Sequence, residues 1–294
     1  MRIKRIATIG VMVTLGLSAA ACGGGEGDNG NTAPTATTTF AAGTTMERLN
    51  NAQKIVIGTK FDQPGFGLKG LSGKPEGFDV EVAKIIAGEM GISANNIEWV
   101  ETPSKVREDY IEQGKVDMVV ATYTINDTRK QRVDFAGPYY EAGQSIMVGS
   151  DDTSITGPDS FKDGTKKVCS VTGSTPAENI KKYVKDVGSQ LVLFDTYDKC
   201  RDALKGGQVD AVTTDNVILL GFISKDQASF KLAGDKFTKE PYGIGVRKGD
   251  AAFRNFINDV LQKTYQDGRW ARAWNDTAGK FSTEPANPPA VNRY

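Results

Sequence analysis

The sequence predicts an α/β protein built from two small units of similar plan, and three observations carry that prediction. Short apolar, strand-like runs alternate with segments of helical period, the spacing of a parallel sheet. A strand motif occurs twice. Gly114-Lys115-Val116-Asp117-Met118-Val119-Val120-Ala121-Thr122 is echoed by Gly207-Gln208-Val209-Asp210-Ala211-Val212-Thr213-Thr214, each after a helix with an arginine (Arg107 or Arg201) about ten residues upstream. Finally, hydroxyl and charged side chains gather where strands end, which is where open α/β sheets bind ligands.

The ends of the chain have their own signals. Arg2, Lys4 and Arg5 precede an apolar run over residues 6–17, then Ser18-Ala19-Ala20-Ala21 and Cys22. This is the plan of a secretory signal over residues 1–21, too short in its apolar run to span a bilayer as a mature helix. The cysteine after small residues resembles a bacterial lipobox, with Ala19 where leucine is most usual. It implies an acylated (palmitate-bearing) Cys22; ordinary cleavage near Ala21 is the alternative. Residues 22–48 then read as the lipidated cysteine and a flexible tether of Gly, Asn, Thr, Ala and Pro, unable to bury enough surface to order itself. Across all 294 residues, 36 Lys and Arg balance 36 Asp and Glu, which argues against nucleic acid or an anionic membrane surface as partner. Histidine is absent, which removes the usual general base and the commonest metal ligand. No metal or cofactor is expected.

In the globular part, Lys54-Ile55-Val56-Ile57-Gly58 is a strand, followed by a loop with Lys60, Phe61 and Phe66. Gly77-Phe78-Asp79-Val80-Glu81-Val82 opens a helix whose Phe78, Val82, Ile85, Ile86 and Met90 share a face. Asp79 and Glu81 sit in its acid-favouring first turn, and Gly91 supplies the stop. Residues 97–100 form a second strand and 104–114 a second helix carrying Arg107. The strand after Asp117 ends in Thr122 and Thr124, with Arg129 just beyond. In the second unit, the strand at Lys167 leads through Thr172-Gly173-Ser174-Thr175-Pro176 into a helix starting near Ala177, and the echoed strand ends on Asp215. Segments 143–149 and 240–247 are the expected crossings between units. The last long helix, 250–268, with Trp270 and Trp274, is expected to pack back on the first. The boundaries predicted are 49–144 plus 246–294 for the first lobe and 145–245 for the second.

The polar residues at the strand ends match an amino acid. A guanidinium fork at Arg129, with the Thr124 hydroxyl, suits a carboxylate; Asp215 suits an ammonium; Ser174 and Thr175 stand where a helix N-terminus presents N–H groups to an anion. Lys60 and Arg107 remain as cations, which a ligand with a second acid would need; the alternatives are a mobile rim lysine and an exposed helix arginine paired with Glu108 or Glu112. Cys169, on a strand, and Cys200, on a helix, form a disulfide in the economical reading for an exported protein; two buried thiols are the alternative. There is no CxxC spacing for a metal or redox site.

The run Gly77 to Val82 with Ile86-Ala87 and Met90, together with the stretch from Ala121 through Phe135-Ala136-Gly137-Pro138-Tyr139-Tyr140, resembles the two signatures of the family 3 bacterial extracellular solute-binding proteins. The resemblance spans residues 55–274. It implies a two-lobed, type II periplasmic-binding-protein-like fold that closes on a polar amino acid and delivers it to an ABC permease. It places Arg129 on the α-carboxylate, helped by Thr124 and the backbone near Thr122, and Asp215 on the α-ammonium. Ser174 and Thr175 close from the second lobe. Read from the residues themselves, Phe61 either lines the aliphatic stem or is a plain hinge-core aromatic, and Tyr242 near the second crossing has the same two readings. Glutamine binders of the family carry an acid where this chain has Lys60; acidic-amino-acid binders resemble it in the lysine and in an arginine at Arg107. The family's binding lysine is absent at Thr172. Glutamate is therefore the expected ligand, with aspartate, glutamine or asparagine weaker, bound by a monomer lipid-anchored at the outer face of the cell membrane. Competing readings are a module presenting its ligand to a sensor or other surface partner, and an enzyme on the same scaffold. The missing histidine, and the lack of a spare acid once Asp215 meets the ammonium, argue against the enzyme.

Overall fold

The computed structural model describes residues 39–282 and 287–294. The predicted signal segment, Cys22 and the tether as far as residue 38 lie outside the described residues. The packed chain begins earlier than the expected tether end at 48. Helix α1 (Thr45–Ala52) is capped by the Thr44 hydroxyl, which accepts from the Glu47 N–H, and it buries Met46 and Leu49. Phe40 already meets Phe256 edge to face. A cap and two apolar residues suffice once a neighbouring helix offers a surface, a condition no local pattern reveals.

The strands in chain order are β1 (Ile55–Thr59), β2 (Asp62–Gln63), β3 (Gly67–Lys69), β4 (Pro75–Glu76), β5 (Ile97–Glu101), β6 (Met118–Thr124), β7 (Val133–Ala142), β8 (Gln144–Gly149), β9 (Val168–Val171), β10 (Leu191–Phe194), β11 (Ala211–Asp215), β12 (Phe230–Ala233) and β13 (Glu240–Arg247). The helices after α1 are α2 (Phe78–Glu89), α3 (Arg107–Glu112), α4 (Asp127–Lys130), α5 (Thr175–Ile180), α6 (Val187–Gln190), α7 (Tyr197–Lys205), α8 (Asn216–Lys225), α9 (Ala251–Asp267) and α10 (Arg269–Asp276). One five-stranded sheet has the order β5-β1-β6-β13-β7, the other β10-β9-β11-β8-β12, and β2-β3-β4 form a small ribbon.

Three strands of each large sheet run parallel, as the alternation predicts. The sheets are nonetheless mixed, because β13 joins β6 and β7 antiparallel and β8 joins β11 and β12 antiparallel. The segments expected as crossings are thus ladder strands. The chain changes sheet at Gly143 and again over residues 234–239, and these passages run side by side: a Cβ on Gly143 would lie 2.8 Å from the Thr238 carbonyl oxygen. Because β13 pairs with the first sheet from Glu240 onward, the second lobe ends before 240 and not at 245.

The repeat has a physical job. Asp117 accepts from the Val56 N–H at 2.8 Å, and Asp210 accepts from the Lys167 N–H at 2.6 Å. Each Gly-x-Val-Asp thus ties the entry of its own strand to the strand beside it. The helix opened by Gly77 packs Phe78 against Tyr139, Tyr140, Trp270 and Trp274, so α10 does return to the first lobe. The last long helix is α9, capped by Asp250 and ended by the left-handed Gly268. Cys169 and Cys200 are bridged, with Cα atoms 5.5 Å apart, tying β9 to α7.

Candidate functional site

The carboxyl ends of β6, β9 and β11 converge on a small polar cavity between the lobes, with only ≈ 10 Å³ of free volume. Of the predicted residues, Arg107, Thr122, Thr124, Ser174, Thr175 and Asp215 line it. Lys60 and Arg129 stand just behind this wall. Lys60 Nζ donates to the Ser104 hydroxyl at 2.8 Å, and Ser104 is on the wall. Phe61 is off the wall, half-buried with Lys69 Nζ 4.8 Å from its ring centre. Tyr242 is also off it, fully buried, its hydroxyl donating to Asp215 Oδ2 at 2.6 Å.

The first lobe concentrates positive charge. Arg107 leaves the start of α3 and lays its guanidinium 4.2 Å from the Tyr123 ring centre, while Arg129 lies 5.1 Å from the same ring. Arg107 Nη1 donates to the Ala121 carbonyl at 2.9 Å, and its buried Nε has no hydrogen-bond partner among the described residues. Among the described residues no carboxylate lies within ion-pair distance of it, neither Glu108 nor Glu112 included. Glu108 instead faces Arg129 Nε at 3.2 Å. Arg129 also donates to the Thr124 carbonyl at 2.7 Å and, across the cleft, to the Gly173 carbonyl at 3.0 Å. Burial and the Arg107 charge push Arg129 down to about 10. Burial, then Arg107, brings the Lys60 ammonium down to about 7. Arg107 thus lowers both of its cationic neighbours, while Asp62 and Asp79 act on Lys60, and Glu108 and Glu240 on Arg129, in the opposite sense.

The second lobe supplies the opposite charge. Asp215 ends β11 and occupies the N-cap position of α8 without a side-chain cap bond, and its Oδ1 is buried with no partner among the described residues. Burial, then the nearby Glu240 charge, pushes this carboxyl up to about 8. Ser174 caps α5, its hydroxyl accepting from the Ala177 N–H, so the helix starts at Thr175 and not near Ala177. The Thr175 hydroxyl donates to Glu240 Oε2 at 2.6 Å and faces Thr124 Oγ1 at 3.3 Å. A further contact between lobes is the Tyr197 N–H on Asp62 Oδ2, at 2.8 Å.

Residues 55–276 match the family described as bacterial extracellular solute-binding proteins, family 3. The chain belongs to this family. It is 39% identical over 279 residues to the glutamate-binding protein GluB of Corynebacterium efficiens, covering 92% of this chain and 89% of that protein. It is 40% identical over 227 residues to the ABC transporter glutamine-binding protein GlnH of Bacillus subtilis, covering 77% and 81% respectively. Among solved structures, a solute receptor for L-cysteine from Neisseria gonorrhoeae superposes with a TM-score of 0.75 at 30% identity, covering 84% of this chain and 99% of that one. The fold is the type II two-lobed arrangement, and this family 3 chain is a solute-binding protein and not an enzyme.

Several residues that matter to this family 3 site escape a reading by strand ends. Asp79, expected only as a first-turn acid, is fully buried; it accepts from the Tyr139 hydroxyl at 2.5 Å and from the Thr122 N–H at 2.8 Å. The two signature motifs therefore meet through one carboxyl, which burial pushes up to about 7. That carboxyl holds Thr122 at φ 44°, left-handed backbone rare for a β-branched residue. The Thr122 hydroxyl lies 3.0 Å from Gln63 Oε1. Ser104, Pro176, Tyr197, Thr214 and Ile218 also line the cavity. The one available signal was the unusual placing of Asp79 between two apolar residues, Phe78 and Val80, on a helix that buries both.

Proposed function

We propose that this protein is the amino-acid-capturing subunit of an ABC importer, and that it holds glutamate, with aspartate, glutamine or asparagine weaker, between its lobes for delivery to a membrane permease. The observation that carries the reading is the charge asymmetry of the cavity. Among the described residues, Arg107 is buried on one wall with an unpaired Nε and no acid within ion-pair distance, while on the other wall Asp215 keeps a buried, unpaired oxygen. An ammonium satisfies Asp215. A carboxylate satisfies the Arg107–Lys60 side, and the α-carboxylate takes Arg129 and Thr124. Arg129 reaches it by giving up the Gly173 carbonyl, so ligand entry and the contact between lobes compete for one guanidinium. The names of the GluB and GlnH relatives support an amino-acid ligand. The two cations support an acidic side chain, since a carboxylate would hold the buried Lys60 amine in its charged form and an amide would not.

Ligand binding closes the cleft in this scheme. Asp215, Ser174 and Thr175 come from the second lobe, the cations come from the first, and only the closed form brings both to one molecule. Pro176 and Ile218 supply apolar wall for the aliphatic stem, the part earlier given to Phe61. Anchoring through acylated Cys22, with the following segment as leash, belongs to the same proposal, as does a monomeric state. Calorimetric titration with glutamate, aspartate, glutamine and asparagine tests it, with scattering to follow compaction. Preference for glutamate over glutamine by tenfold or more is expected. Equal or tighter glutamine binding would refute the acidic-ligand reading, and no compaction at saturation would refute the closure.

A further inference from the structure

Helix α8 starts at its cap, Asp215, and carries Gly221 in its interior. Glycine is among the poorest helix residues, and Gly221 has no positive φ that would demand it. The reason for it lies across the cleft. A Cβ built at Gly221 would fall 2.4 Å from the Pro64 carbonyl oxygen and 3.3 Å from its carbonyl carbon. Pro64 directly follows β2, in the first lobe, and β2 also receives the Tyr197 N–H on Asp62. The same short stretch is thus the landing surface for the start of α7 and the middle of α8. Gly173 makes a comparable approach, its Cβ position 2.7 Å from the Lys105 Cα, but its φ of +79° gives it a second reason to be glycine. Gly221 has only the approach.

We propose that Gly221 sets how far the lobes close, and so governs ligand affinity from a position that lines no part of the cavity. The inference rests on the closure scheme above. A methyl group at 221 must retreat from 2.4 Å to an ordinary contact of 3.4 Å, about 1 Å, and the rigid neighbour is backbone on both sides. Because α8 begins at Asp215, the retreat carries the ammonium-binding carboxylate outward with it. Displacements of this size at a preorganised polar site cost up to about a hundredfold.

The test compares full-length wild type, Gly221→Ala and, as control, Gly88→Ala. Gly88 is a helical glycine in α2 with nothing within 4 Å of its Cβ position. Each is titrated with glutamate and, in parallel, with glutamine, and each is melted without ligand. Gly221→Ala is expected to bind about 10- to 100-fold more weakly with an unchanged or raised melting temperature, and to compact less at saturation in small-angle scattering. Gly88→Ala should gain melting temperature without losing affinity. Two results overturn the inference alone: Gly221→Ala affinity within twofold of wild type, or a Gly221→Ala protein that fails to fold, which would mean α8 is fixed against β2 by the fold itself. Wild type binding glutamine but not glutamate refutes the acidic-ligand reading only, and the ratio is then read on glutamine. Wild type binding neither removes both.

Discussion

Replacing Lys60 with methionine separates the energetics of the empty fold from those of the ligand. Lys60 is 2% exposed, its ammonium donates to Ser104 at 2.8 Å, and burial with Arg107 holds it near 7. A fall from 10.5 to about 7 corresponds, at 1.36 kcal/mol per unit, to roughly 4–5 kcal/mol by which burying the lysine opposes folding at neutral pH. Subtracting about 1 kcal/mol for the lost hydrogen bond, Lys60→Met should stabilise the ligand-free protein by on the order of 3 kcal/mol. At roughly 2–4 °C per kcal/mol, that is a rise of several degrees in melting temperature. The same change should weaken glutamate. Losing one partner of a buried charge pair costs about 2–5 kcal/mol, less about 0.4 kcal/mol because the ammonium is only half charged at pH 7. At about 1.4 kcal/mol per decade, the expected loss is tens- to a thousandfold, with glutamine affected far less. The pH dependence has a definite sign. A bound carboxylate favours the charged lysine, so binding takes up a proton and the lysine's contribution fades as pH rises above 7; wild type should show this slope relative to Lys60→Met. Calorimetry at pH 6, 7 and 8.5 reads all three quantities. A variant that loses glutamine and glutamate equally, or melts lower than wild type, would refute the reasoning.

Asp215→Asn should cut affinity for any α-amino acid at least a hundredfold and flatten part of the pH dependence of ligand-free stability. The Asp215 carboxyl is raised from 3.8 to about 8 when folded, so its stabilising contribution is complete below pH 4 and disappears as pH rises towards 8. Denaturant melts at pH 5 and pH 8 should show a smaller difference in the variant; Asp79, raised in the same direction, keeps the difference from vanishing. Removing the disulfide with Cys169→Ser and Cys200→Ser should cost about 3–4 kcal/mol for a bridge of sequence separation 31, measured by calorimetric melting in the absence of reductant. Tyr139→Phe takes one donor from Asp79 and should weaken ligand binding several-fold through the Thr122 backbone, with titration and a ligand-free melt separating the two effects.

Local pattern was enough for much of this protein. The strand–helix alternation, the Gly-x-Val-Asp repeat and the two caps of the last long helix all report constraints within a few residues, and each appears in the fold. The acid of that repeat anchors its neighbouring strand in both lobes. Asp215, Thr124, Ser174 and Thr175 were legible because α/β connectivity alone delivers strand ends and helix starts to one place.

What only the tertiary structure decided concerns groups whose partners are far away in sequence. Asp79 looks like a solvent-facing helix acid until β6 and β7 bury it between Thr122 and Tyr139. Helical spacing offers Arg107 two glutamates, Glu108 and Glu112, yet the Tyr123 ring and the Ala121 carbonyl take it instead. Gly221 reads as a flaw in a helix until Pro64 arrives from the other lobe. Periodicity and spacing encode what a residue does to its own element. Desolvation, charge crowding and close approach depend on the element packed opposite, and that is set only when the two lobes fold and meet.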